Sequence, residues 1–278
     1  MTAPWCTERR TVPAGRARRG PSWALSIARN LLSGNYRREG VRDARSWGRT
    51  VLLPSPQKAL FALSGQRAKV IHVALDLRTL IDPNTTAVVT SECQNGVLGP
   101  DTSLPELADA ARVQAIPNGA RLLHAARVAG VQVVHAVFWR RPDYRGGNTN
   151  GRLFVAMQKH GAVAMEPGSH LAMPIDEFAH SPDDLILGRY HGLDPIGGTD
   201  LDPVLRNLGI QTVVVIGVSV NVALMGLSIG LVNIGYQVVV PRDAVAGVPA
   251  DYSEMLLDNT YQMISTVVTT DDVVNAWS

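Results

Sequence analysis

The chain has 278 residues, enough for one large domain or two small ones, and 46% of them are hydrophobic, enough to bury a substantial core. Its formal charge of +2 conceals a division, because residues 1–80 carry fifteen Lys or Arg against four acids while residues 81–278 carry eleven against twenty. Two cysteines exclude a disulfide framework, and no CxxC or Cys/His cluster exists for zinc.

Residues 1–75 are Arg-rich. Arg9, Arg10, Arg16, Arg18, Arg19, Arg37 and Arg38 sit among Gly, Pro and Ser with weak hydrophobic periodicity, so a disordered extension is expected. Clustered arginine is also compatible with a basic arm toward nucleic acid or an acidic partner, and with an organelle transit peptide. Elsewhere no nucleic-acid partner is expected. The N-terminus lacks the compact apolar core of a secretory signal, so a reducing, cytoplasmic location is the expectation.

From residue 80 to 278 the pattern is regular. A β-rich run covers Thr86–Glu92, and a helix is predicted over Leu104–Ala129, interrupted at Pro117-Asn118 and ended by Gly130. Val131–Trp139 reads as a second strand, followed by the polar loop Arg140–Asn150 and a short helix ending near His160-Gly161. Asp184–Leu187 is a third strand, and Thr199–Leu208 a helix that Thr199 can cap with Asp202 at capping-box distance. Thr212–Val218, Tyr236–Pro241 and Ser265–Thr269 complete the strands, with helices over Val222–Ile234 and Ala250–Met263. Asn207–Pro241 holds no charged residue and is long enough to cross a bilayer. Its glycines and Asn221 and Asn233 divide it into strand, turn, helix, turn and strand, so buried parallel strands are expected and a membrane span is not.

Alternating strands and helices predict one α/β domain, a Rossmann-like three-layer sandwich on a six-stranded, mostly parallel sheet. Neither a GxGxxG fingerprint nor a GxxxxGK[ST] loop is present, so no cofactor is expected. In such sheets the ligand crevice lies at the carboxyl ends of the strands. That rule selects Glu92–Asn95, Trp139–Arg145, Gly188–His191 and Gly217–Ala223.

Glu92 ends an apolar strand, where a carboxylate is either solvated or tuned by burial into an acid or base. Arg189 lies at another strand end and can face it, or can be a surface arginine. Cys93 reads as a packed small hydrophobe more readily than as a nucleophile. The turn Gly217–Ala223 leads into a helix whose free N–H groups suit an anionic or carbonyl oxygen, or is an ordinary tight turn. Ser219 lacks a GxSxG frame. The histidines show no ligand spacing, and only His191, beside Arg189, falls in a selected segment.

Taken in order, Val88–Asn95, Ala125–His135, Asp184–Arg189 with Gly198–Leu201, Gly217–Ala223 and Gly235–Ala244 resemble the isochorismatase-like hydrolases, a family that includes cysteine amidases and true isochorismatases. The resemblance spans residues 85–275. It implies a catalytic trio at Glu92, Arg189 and Ala223, where the family carries Asp, Lys and, in amidases, Cys. The strand-end segments supply the candidate substrate contacts, Gln94, Asn95, Trp139, His191, Ser219 and Asn221, and the resemblance implies a homo-oligomer. The segment where some members carry metal-binding Asp-x-His-x-x-His reads Phe138-Trp139-Arg140-Arg141, so no metal is expected.

Alanine cannot form a thioester, which closes the acyl-enzyme route at Ala223. Three readings follow. One is a cysteine-independent hydrolase of a small metabolite, with Glu92 as proton donor and Arg189 holding a substrate carboxylate. Another is a pseudoenzyme binding a small molecule or protein partner in the old pocket. The last is an amidase rescued by Ser219 or Cys93.

Overall fold

A computed structural model of the chain describes residues 76–278, and the Arg-rich segment 1–75 lies outside the described residues. Seven strands form one sheet: β1 (Thr86–Ser91), β2 (Gln132–Phe138), β3 (Leu185–Arg189), β4 (Thr212–Val218), β5 (Gln237–Pro241), β6 (Val245–Ala246) and β7 (Thr266–Val268). The order is β3-β2-β1-β4-β5-β7, with β6 pairing only β4, and every strand pair is parallel. The six strands expected become seven because β6 is two residues long, too short to carry a period.

The helices are α1 (Leu77–Leu80), α2 (Asn95–Leu98), α3 (Pro105–Val113), α4 (Ala115–Val128), α5 (Arg152–Lys159), α6 (Leu201–Asn207), α7 (Ala223–Asn233), α8 (Ala250–Leu256), α9 (Gln262–Ile264) and α10 (Thr270–Trp277). Alternate strand residues enter two separate cores. Val88, Val133, Val214 and Val239 pack with Leu122, Leu123 and Val273 on one face. Ala87, Val89, Val134 and Val213 pack with Leu205, Leu224, Leu227 and Leu231 on the other. Period-2 alternation inside fully buried strands therefore builds the three layers. The uncharged stretch from Asn207 to Pro241 is β4, α7 and β5, and no described helix is long and apolar enough to cross a membrane.

Several boundaries differ from the sequence reading. The predicted helix over Leu104–Ala129 breaks at Gln114, not at Pro117, which sits in the first turn of α4 where its missing N–H costs nothing. Thr199 does not make the expected capping box. Its hydroxyl donates to the Pro195 carbonyl at 2.6 Å, Asp200 is the N-cap residue, and Asp202 pairs with Arg206 instead. The helix expected over Ala250–Met263 contains a π stretch at Leu257–Tyr261, where the Tyr261 hydroxyl donates to the Val220 carbonyl at 2.7 Å. The chain also ends in α10, capped by a reciprocal Thr269–Asp272 box that the sequence reading passed over.

Toward the amino end of β3 lies a buried polar chain. Thr90 Oγ1 and His135 Nδ1 are 3.0 Å apart, His135 Nε2 is 3.2 Å from Asp184 Oδ2, and Arg127 donates to that same oxygen at 2.7 Å. Burial pushes the His135 imidazolium down by more than Asp184 raises it. Burial pushes Asp184 up, but hydrogen bonds from His135, Arg127 and the Ser181 N–H hold it well below the usual carboxylate range.

Candidate active site

The chain runs outward through β1, β2 and β3, then returns to place β4 on the other side of β1. Neighbouring strand ends therefore lead their loops in opposite directions between β1 and β4, which leaves a crevice above them. Glu92 follows β1, Arg189 ends β3, and the Ser219–Val222 turn follows β4. The Val218–Ser219 peptide is cis.

Glu92 has a left-handed backbone, φ 56°, and its N–H donates to the Ala136 carbonyl at 2.9 Å. This turns the chain away from the strand and sets its carboxylate toward β3. Arg189 Nη2 donates to Glu92 Oε1 at 2.5 Å, with the guanidinium 5.4 Å from the centre of the Phe138 ring at the end of β2. The Arg189 side chain is only 3% exposed, and its Nε and Nη1 are buried without acceptors. Nearly all of its hydrogen bonding is thus directed at one carboxylate oxygen.

Glu92 and Ala223 border one cavity of about 520 Å³, together with Ser219 and Asn221. Ala223 is the first residue of α7, and among the described residues its N–H finds no acceptor. The helix dipole adds partial positive charge there. Ser219 is half-buried, and its hydroxyl makes no hydrogen bond among the described residues, so nothing is placed to activate it. Asn221 Nδ2 donates to the Val248 carbonyl at 3.2 Å and leaves its Oδ1 near Gly247.

The remaining residues singled out in the sequence serve other ends. Gln94 is buried and clamps β2, donating to the Phe138 carbonyl at 2.8 Å and accepting from the Phe138 N–H at 2.6 Å. Asn95 Nδ2 donates to the carbonyls of His170, Met173 and Pro174, fixing the loop that covers α2. Neither lines the cavity. Trp139 packs on Gly188, where any Cβ would overlap the indole, and lies 5.4 Å from the Tyr190 ring. It borders a separate cleft of about 30 Å³. His191 is exposed beside Gly198. Arg189 itself lies behind Glu92 and not on the cavity wall. Cys93 is 2% exposed, its Sγ donates to the Ser91 carbonyl, and burial together with Glu92 pushes its thiol well up, which keeps it from acting as a thiolate. Gly217, with φ 108°, lets this thiol and the Ser91 carbonyl approach a backbone that has no Cβ.

Sequence reasoning missed much of the cavity wall. α5 has no buried residue, and its Leu153, Phe154 and Met157 face the cavity opposite Leu104 and Leu107. Arg140, Arg152 and Glu106 are the other charged lining residues. The signal for Arg140 was an arginine pair directly after an apolar strand, which composition alone assigns to solvent. Among the described residues, no group of three or more His, Cys, Asp or Glu is placed to hold a metal ion.

Residues 86–272 match the isochorismatase domain family. An uncharacterized isochorismatase family protein of Escherichia coli O157:H7, YecD, is 24% identical over 196 residues, covering 70% of this chain and 98% of its own. A cysteine hydrolase from Pseudomonas syringae pv. phaseolicola is similar in structure, with TM-score 0.62 and 24% identity, covering 71% of this chain and 94% of that one. The N-carbamoylsarcosine amidase of Thermoplasma acidophilum has TM-score 0.54 and 22% identity, covering 67% and 97%.

Proposed function

The chain belongs to the isochorismatase family, and we propose that it is a hydrolase of a small metabolite that works without a covalent cysteine intermediate, with Glu92 moving the proton. The observation that carries this is the Glu92–Arg189 pair at 2.5 Å, opening on the cavity that Ala223 also borders. As the carboxylate partner of Arg189, Glu92 accepts a proton from a water in the cavity while the water oxygen bonds to the electrophilic carbon of the substrate. The carbonyl oxygen, now negative, faces the free N–H of Ala223. Glu92 then returns its proton to the leaving nitrogen or oxygen. Arg189 stays charged throughout and acts as the group that holds Glu92. Gln94 and Asn95 support the site as braces of its loops.

The test uses the full chain against a library of small amides and esters. Glu92→Gln is expected to lower kcat by at least about 10²-fold with little change in KM. Thiol alkylation is expected to leave turnover intact. Unchanged turnover in Glu92→Gln overturns the reading.

A second reading is supported by the Ala223 methyl and by an arginine where the family carries lysine: the cavity binds a ligand that it does not turn over. It predicts binding without hydrolysis of any library member. The reading also includes assembly of copies in the cytoplasm. The assembly, though not the location, is supported by α7, which carries no charged side chain along its 11 residues and leaves Ile229 and Val232 about 40% exposed.

A further inference from the structure

Two buried guanidiniums lie by the Phe138 ring, those of Arg189 and Arg140. Arg189 takes Oε1 of Glu92, and Arg140, 8% exposed, lies on the cavity wall. Among the described residues Arg140 has no carboxylate within 4 Å. Its Nη1 donates to the Val163 carbonyl at 2.8 Å, its Nη2 reaches only the Met157 sulfur at 3.8 Å, and its plane lies 5.3 Å from the Phe138 ring centre. Burial pushes its guanidinium down, and Tyr144 and then Glu92 raise it in part. Glu106, the other carboxylate on the wall, makes no ion pair with it and keeps Oε2 buried without a donor. A desolvated cation whose neighbours are a carbonyl, a thioether and an aromatic face is costly unless an anion joins it.

Arg152, the other cation on the wall, is exposed, and apart from the charged residues, Ser219 and Asn221 the wall is mainly apolar, with Leu104, Leu107, Phe138, Leu153, Phe154 and Met165. We propose that Arg140 is the anion-binding residue of this cavity, and that its ligand is a carboxylate carried on an apolar body. This rests on the reading of the cavity as the substrate site, and moves the carboxylate-holding role expected of Arg189 to the arginine on the wall. The arginine fork takes the carboxylate end, and the wall formed by α5 and Leu104–Leu107 covers the apolar end. Catalysis and recognition then fall to separate groups. Glu92 works at the reacting carbon, and Arg140 fixes which molecules reach it.

The test is a titration of the full chain with three probes of one shape: phenylbutyrate, phenylbutyramide and phenylbutylamine. Near neutral pH the carboxylate is expected to bind at least about tenfold more tightly than the amide, about 1.4 kcal/mol, and the amine least. Arg140→Gln is expected to close the gap between carboxylate and amide while amide affinity holds. Arg140→Lys, which keeps the charge and loses the fork, is expected to narrow the gap without closing it. If Arg140→Gln does not fold, the Lys variant carries the test, since a merely structural arginine would leave the gap unchanged. Equal affinity for amide and carboxylate, binding of none of the probes, or a gap that survives Arg140→Gln overturns the proposal. Binding is read without turnover, so the two readings fail separately. A lost preference with Glu92-dependent turnover intact removes the carboxylate assignment alone. A kept preference with no turnover removes hydrolysis and leaves Arg140 in its role.

Discussion

At the scale of single residues, Glu92 carries two costs. A left-handed φ for a residue with a Cβ is disfavoured by roughly 1–2 kcal/mol, and its carboxylate is partly withdrawn from water. The Arg189 pair compensates for the second. Glu92→Gly would relieve the backbone yet strand a buried guanidinium, so it is expected to be destabilising overall. Replacing Arg189 with Met is expected to lower unfolding free energy by about 3 kcal/mol in urea titration, since breaking a buried pair leaves one charge without its partner. A change below about 0.5 kcal/mol would show the pair to be solvated. Glu92 was legible in the sequence because an acid at the end of an apolar strand is conspicuous. Arg140 fell within the selected strand-end segment Trp139–Arg145 but was not singled out, because nothing local distinguishes a buried arginine from a solvated one. Its burial comes from the Val163–Met165 segment and from Met157 on α5, more than fifteen residues away.

At the scale of elements, β2 and β3 are held by features that vary independently of the site. Gly188 lies under the Trp139 indole, so Gly188→Ala is expected to cost about 1–3 kcal/mol through overpacking. A circular-dichroism melt reads this directly, and an unshifted midpoint would mean that the indole moves freely. The His135–Asp184 pair gives β2 and β3 a pH dependence. Both groups have folded values below their unfolded ones. The unfolded chain therefore binds more protons in acid, and the stability they contribute is present above the unfolded values and lost as pH falls. The loss begins near 6.5 for His135 and continues below 3.8 for Asp184. His135→Gln is expected to flatten the upper part of that slope in urea melts at stepped pH, and a wild-type stability that rises on acidification from 6.5 would contradict the sign. Strand β4 was readable from an unbroken apolar run. Helix α6 was displaced at its start because Thr199 bonds back to Pro195, a competition that its sequence does not disclose.

At the scale of the whole molecule, the alternation of strands and helices was enough to predict the layers, because parallel strands need crossovers and the crossovers must cover both faces. It did not predict the cavity volume, which depends on a helix, α5, that packs loosely over the sheet end. If α7 mediates assembly of copies, an Ile229→Glu, Val232→Glu double variant is expected to sediment as a smaller species than the parent, and identical sedimentation would reject α7 as the contact. The position of β1 has a further consequence for synthesis. Its partner on one side is β2, but its partner on the other is β4, with Thr86 opposite Thr212. At about 5–20 residues per second a ribosome needs many seconds to deliver the second partner. During that interval a strand that ends fully buried presents an open edge. Emerging polypeptides halted before residue 212 should thus be the ones that bind chaperones most persistently, and the crevice between β1 and β4 forms only after β4 arrives.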